Sequence, residues 1–161
     1  MNPEQYFFRF AWPCTETLLQ KKKITQQRFN DLKFAAEHNL APSRNILEGT
    51  YKNAFENLKK IAKQMKKDYW DIEVIKKYFE QGEHNRIIES GHGEYGNAPP
   101  TLKEMCKISK GIVEKVEIKE GRKVFSVNIN GKERKCLDFY NLLPKEGDKV
   151  LVHYAYIVKV L

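Results

Sequence analysis

The chain has few cysteines, and none are close together. Its three, Cys14, Cys106 and Cys136, are scattered through 161 residues and include no C-x-x-C pair. That excludes a disulfide framework and a structural zinc knuckle, and it fits a reducing compartment. Long hydrophobic runs are missing too, so no segment reads as a membrane span. The N-terminus MNPEQYFFRF lacks the basic-then-apolar order of a secretion signal, because Glu4 comes early and Arg9 interrupts the apolar stretch. A cytoplasmic protein is expected. The sequence also has no Gly-rich phosphate loop after a strand, no G-x-S-x-G turn, no close pair of catalytic carboxylates and no H-E-x-x-H. Familiar enzyme chemistry is therefore not expected.

What is present is an uneven positive charge. The formal net charge is +8, and residues 1–104 carry 17 basic and 14 acidic side chains while residues 105–161 carry 12 and 7. The shorter segment is the more basic one. Such a balance permits a nucleic-acid or acidic-protein partner and is equally a device for solubility.

Periodicity and composition change together near SGHGEYGNAPP, residues 90–100, where Gly91, Gly93, Gly96 and the Pro99-Pro100 pair interrupt any helix. Before it the pattern is helical. Pro3 suits a first helical position, and Pro13 ends or kinks the helix carrying Tyr6, Phe7, Phe8, Phe10 and Trp12. Thr25, Ser43 and Asp71 are expected N-caps. The helix after Ser43 is expected to run through Leu47, Tyr51, Phe55, Leu58, Ile61 and Met65, and a short one to carry Ile87 and Ile88. After the break the period is two. Asn130-Gly131 predicts a tight hairpin that pairs Ile129 with Lys132, Val127 with Arg134 and Phe125 with Cys136. A first strand is expected over 108–118 and a closing strand over 150–160. The resulting fold class is α+β: a helical domain at 1–89, a linker or functional loop at 90–104, and a small OB- or SH3-like β-barrel at 105–161.

Several side chains could carry chemistry. Cys106 lies between Lys103 and Lys107, whose charge favours the thiolate; the alternative is a buried small hydrophobe. Cys136, opposite Phe125, reads as a packing residue, and so does Cys14 after Trp12-Pro13. His153 sits among apolar residues of the closing strand, a setting that keeps its ring neutral and able to accept a proton or bind a metal. His84 and His92 could join Cys106 as metal ligands, although their spacing matches no template. An enzyme built on His84, His92 and either Cys14 or Cys106 is a further reading. Lys119, Arg122, Lys123, Lys132, Arg134 and Lys135 form a basic hairpin face, read either as a solvated surface or as a non-catalytic RNA- or protein-binding module.

Met105-Cys106, then Gly111, then Gly147-Asp148-x-Val-Leu-Val-His153, resemble the small HypC/HupF hydrogenase-maturation chaperones over about 57 of the 161 residues. The resemblance implies an OB-like barrel and a metallocentre-assembly chaperone without a permanently bound cofactor. It implies that Cys106 and His153 act as a pair, docking a partner or holding transient iron that carries cyanide and carbon monoxide. The implied partners are a HypD-type iron–sulfur protein and a hydrogenase large subunit precursor. Here Cys106 is internal and Lys110 stands where the family has proline. The preceding helices are expected to cover the face that a C-terminal helix covers in that family.

Overall fold

The computed structural model describes residues 1–91 and 98–161. Helices come first: α1 (Pro3–Ala11), a 3-10 turn (Trp12–Cys14), α2 (Thr15–Gln20), α3 (Gln26–Glu37), α4 (Arg44–Thr50), α5 (Lys52–Met65), α6 (Ile72–Glu80), α7 (Glu83–Ser90) and α8 (Pro100–Cys106). The strands follow as β1 (Ile108–Lys119), β2 (Arg122–Ile129), β3 (Lys132–Cys136), β4 (Lys149–His153) and β5 (Tyr156–Val160). The fold is α+β. Among the described residues, no helix is long and apolar enough to cross a membrane.

Local chemistry sets the helix starts. Asn2, Thr25, Ser43 and Asp71 each accept a hydrogen bond from a backbone N–H of the first turn they precede, which satisfies one of the orphan donors there. The single helix expected after Ser43 is instead two. It breaks at Tyr51 (φ −102°, ψ 52°), whose ring is buried and whose hydroxyl meets Thr15 Oγ1 at 2.6 Å. Tertiary packing of that phenol overrides the apolar periodicity. Pro100, expected to interrupt, opens α8, because the N–H that proline lacks has no helical partner in the first turn.

The five strands form one antiparallel sheet in the order β3-β2-β1-β4-β5. The hairpin at Asn130-Gly131 has φ of 52° and 82°, and the pairs Ile129/Lys132, Val127/Arg134 and Phe125/Cys136 fall in the expected register. The expected closing strand is two strands joined by a tight turn at Tyr154-Ala155, with His153 paired to Tyr156. Tyr154 takes φ 58° without the help of glycine. Two bonds hold it there: its N–H donates to the Met105 carbonyl (2.9 Å), and its carbonyl accepts from Arg134 Nη1 (3.2 Å). At the far end of β3, Leu137 forms an isolated parallel bridge to Tyr156, accepting from Ile157 N–H (2.9 Å) and donating to the Ala155 carbonyl (2.8 Å).

One apolar cluster lies inside the sheet, around Phe125, Val127, Cys136, Val150, Val152 and Ile157. The larger core joins the helices to Ile108, Tyr140, Leu151 and Val158. At its centre Phe7 packs against Tyr51, Phe55, Trp70 and Phe79, with ring centroids 4.6 to 5.8 Å away. A fully buried phenylalanine contributes about 1.5–3 kcal/mol through area removed from water. This aromatic core holds α1 against α5 and α6.

Candidate metal centre

The site begins with a proline. Pro13 has no N–H to offer the Arg9 carbonyl four residues back, so the last turn of α1 leaves acceptors unfilled. The C-terminal half of the chain supplies the donors. Tyr140 Oη donates to the Arg9 carbonyl (3.0 Å), and His153 Nδ1 donates to the Phe10 carbonyl (2.7 Å). The 3-10 turn that Pro13 imposes then carries Cys14 to the other side of the same ring, where Cys14 Sγ lies 2.9 Å from His153 Nε2. Because Nδ1 holds its proton against Phe10, Nε2 presents a lone pair and the thiol donates to it.

His84 arrives from α7. Its ring meets His153 edge to face at 5.0 Å and packs against Tyr78 and Phe79, both at 5.6 Å. Asn85 fixes its tautomer. The Asn85 amide is oriented by β1, donating from Nδ2 to the Ile108 carbonyl (2.9 Å) and accepting at Oδ1 from the Ile108 N–H (2.8 Å). Oδ1 therefore faces His84 Nδ1 at 3.3 Å as an acceptor, and His84 Nε2 is left with the lone pair. Ile108 pairs with His153 across β1 and β4, so one bridge positions both imidazoles.

One donor atom each from Cys14, His84 and His153 lies within 4.8 Å of the others. Both rings are neutral at physiological pH. Burial pushes His153 down to about 3, with the neighbouring His84 adding to the shift and backbone hydrogen bonds at Phe10 and Cys106 opposing it. Burial likewise pushes His84 down to about 4. Two neutral imidazoles and a thiol make a borderline-soft donor set suited to a late first-row transition metal. The set opens on a cavity of about 410 Å³ that reaches between α2, α5 and α7.

The other residues singled out in the sequence fall as follows. Cys106 ends α8 and is wholly buried. Its backbone runs beside that of His153, since Tyr154 N–H donates to the Met105 carbonyl and Ile108 pairs with His153, while the sulfur bonded to Nε2 is that of Cys14. Gly111 lies tight against β2, where an added Cβ would sit 2.5 Å from Val127 Cγ1. Gly147 (φ 91°) and Asp148 make the turn into β4; Asp148 Oδ2 accepts from Lys145 N–H, and its carbonyl accepts from Val113 N–H. Cys136 packs opposite Phe125, and burial pushes its thiol up to about 12. His92 lies outside the described residues. In the basic face, Lys119 and Lys135 share Glu117 with Lys115, and Arg134 is tied to Tyr154. Arg122 and Lys123 line a second cavity of about 520 Å³ beside Asp138 and Phe139, and Lys132 is exposed at the hairpin.

Sequence reasoning read Cys14 as packing. The signal that could have found it is Trp12-Pro13-Cys14 itself: a proline one residue before a cysteine turns that cysteine out of the helix line at a point where carbonyls are left open. Compared with protein-family models, curated proteins and solved structures, the chain finds no match.

Proposed function

We propose that this chain is a metal-handling protein of the metallocentre-assembly kind, in which Cys14, His84 and His153 hold a thiophilic transition-metal ion. The observation that carries the reading is the second layer: each imidazole has its Nδ1 on an oxygen acceptor, Phe10 O or Asn85 Oδ1, which leaves the lone pair on Nε2, and His153 Nε2 faces Cys14 Sγ. Ligating histidines are oriented in this way, with the outer N–H fixed by a carbonyl or carboxamide. Three protein donors leave a fourth position open toward the cavity, the arrangement of sites that exchange ligands rather than purely structural ones. On binding, the ion replaces the Cys14 thiol proton, which leaves to solvent, while the two neutral rings need lose none. When bound, the ion supplies a Lewis-acidic centre for the fourth ligand.

The HypC/HupF resemblance of residues 105–161 supports iron in transit as the cargo, with an iron–sulfur maturation partner and a hydrogenase precursor as its source and destination. An OB-like barrel is part of that reading. The parallel bridge between Leu137 and Tyr156, which links the two edge strands at one end, speaks for it. In this account His153 is the family's histidine, and the thiolate comes from the helical segment.

Anaerobic titration of the reduced chain with cobalt(II) tests the proposal. One equivalent producing thiolate-to-cobalt charge-transfer absorption, lost in Cys14→Ser and retained in Cys106→Ala, is expected. Absorption that disappears in Cys106→Ala and survives in Cys14→Ser would refute this assignment of the ligand.

A further inference from the structure

The cavity beside the three donors is far larger than the open coordination position requires. A single water needs about 10–15 Å³ of such space, whereas here it is about 410 Å³, within the range of small organic-ligand sites. Its walls also differ from side to side. Ala11, Leu18, Ile87 and Ile88, from α1, α2 and α7, give it an apolar lining. The wall formed by α5 presents Asn53, Asn57 and Lys60 at i, i+4 and i+7, one face of the helix, while Phe55, Leu58, Ile61 and Ala62 of the same helix are buried in the core. Lys52 and Lys60 outnumber Glu56 among the charges on that wall. The occupant such a space fits has a metal-binding donor at one end, a short apolar body and a negative charge at the other.

We propose that the cavity binds a small thiol bearing a negative charge, its sulfur completing the coordination of the ion held by Cys14, His84 and His153 and its acidic group meeting Lys60. A thiol suits the site because a soft donor matches an ion already held by thiolate and imidazole. Lysine at the mouth gives a point charge on a flexible stem, which serves a carboxylate or a phosphate end alike. The inference rests on the metal reading above and adds to it the class of the fourth ligand.

The test uses the full chain loaded with cobalt(II) and two matched series of probes: mercaptoalkanoates of three to six carbons and the corresponding uncharged mercaptoalkanamides. The acids are expected to alter the cobalt spectrum saturably and, at the best chain length, at least ~10-fold more tightly than the amides. Lys60→Gln is expected to erase that preference with cobalt affinity unchanged. Equal affinity for acid and amide, or a preference that survives Lys60→Gln, overturns the proposal. Failure of cobalt to bind at all refutes the metal reading and the sulfur contact with it. The anion contact is then decided by calorimetry on the metal-free chain, where Lys60-dependent binding of the acids supports it and its absence overturns it.

Discussion

Acid should weaken the metal-free protein well before its carboxylates titrate. His84 and His153 are buried as neutral rings, with folded values pushed down to about 4 and about 3 from an ordinary 6.5. In the unfolded chain both rings are exposed and take up protons near their ordinary value. Stability is therefore full above pH 7, declines as the pH falls below about 6.5, and levels off only near the folded values. Between pH 7 and pH 5 each histidine costs about 2 kcal/mol, so together they remove about 4 kcal/mol from a total that for a domain is about 5–15 kcal/mol. The carboxylates held below their ordinary range, Glu4, Glu89 and Glu117, lose their contributions only below that window. Urea unfolding followed by tryptophan fluorescence across pH 5–7, in chelator, measures the slope. His84→Phe keeps a ring against Tyr78 and Phe79 and should lose about half of it. A parent stability flat over this range, or a His84→Phe slope equal to the parent's, would refute the burial of two neutral imidazoles.

Pro13→Ala restores an N–H for the Arg9 carbonyl and should lengthen α1; far-UV dichroism should show more helix, and cobalt affinity should fall at least ~10-fold with Cys14, His84 and His153 all intact. Unchanged affinity would show that the 3-10 turn does not place Cys14. Tyr140→Phe removes the donor to that carbonyl and should cost about 1–2 kcal/mol by urea unfolding. Gly111→Ala drives a methyl to 2.5 Å from Val127 Cγ1 and 2.8 Å from Asn128 O, so a loss of about 1–3 kcal/mol is expected by the same assay.

The sheet side of the site was legible because strand chemistry is local. The Asn130-Gly131 turn declares its own register, and the apolar neighbours of His153 announce a neutral ring. The turn at Tyr154-Ala155 carries no such declaration; a tyrosine accepts positive φ there only because Met105 and Arg134, distant in sequence, hold its backbone. The same holds for the break at Tyr51, which depends on Thr15. The cluster was hidden for a different reason. Cys14 and His153 are 139 residues apart, and their link runs through the backbone carbonyl of Phe10, a group every residue possesses. His84 was judged by its distance along the chain from His92 and Cys106, yet its neighbours in space are set by Asn85 and Ile108. Spacing identifies side chains that cluster from one element, and these three come from three.

X-ray absorption on the zinc-loaded chain reads the proposed ligands directly. One sulfur at about 2.3 Å and two imidazole nitrogens at about 2.0 Å are expected, with the sulfur lost in Cys14→Ser and one imidazole lost in His84→Phe. A shell of oxygens alone, or a sulfur that persists in Cys14→Ser, would contradict a centre built where α1 ends against β4.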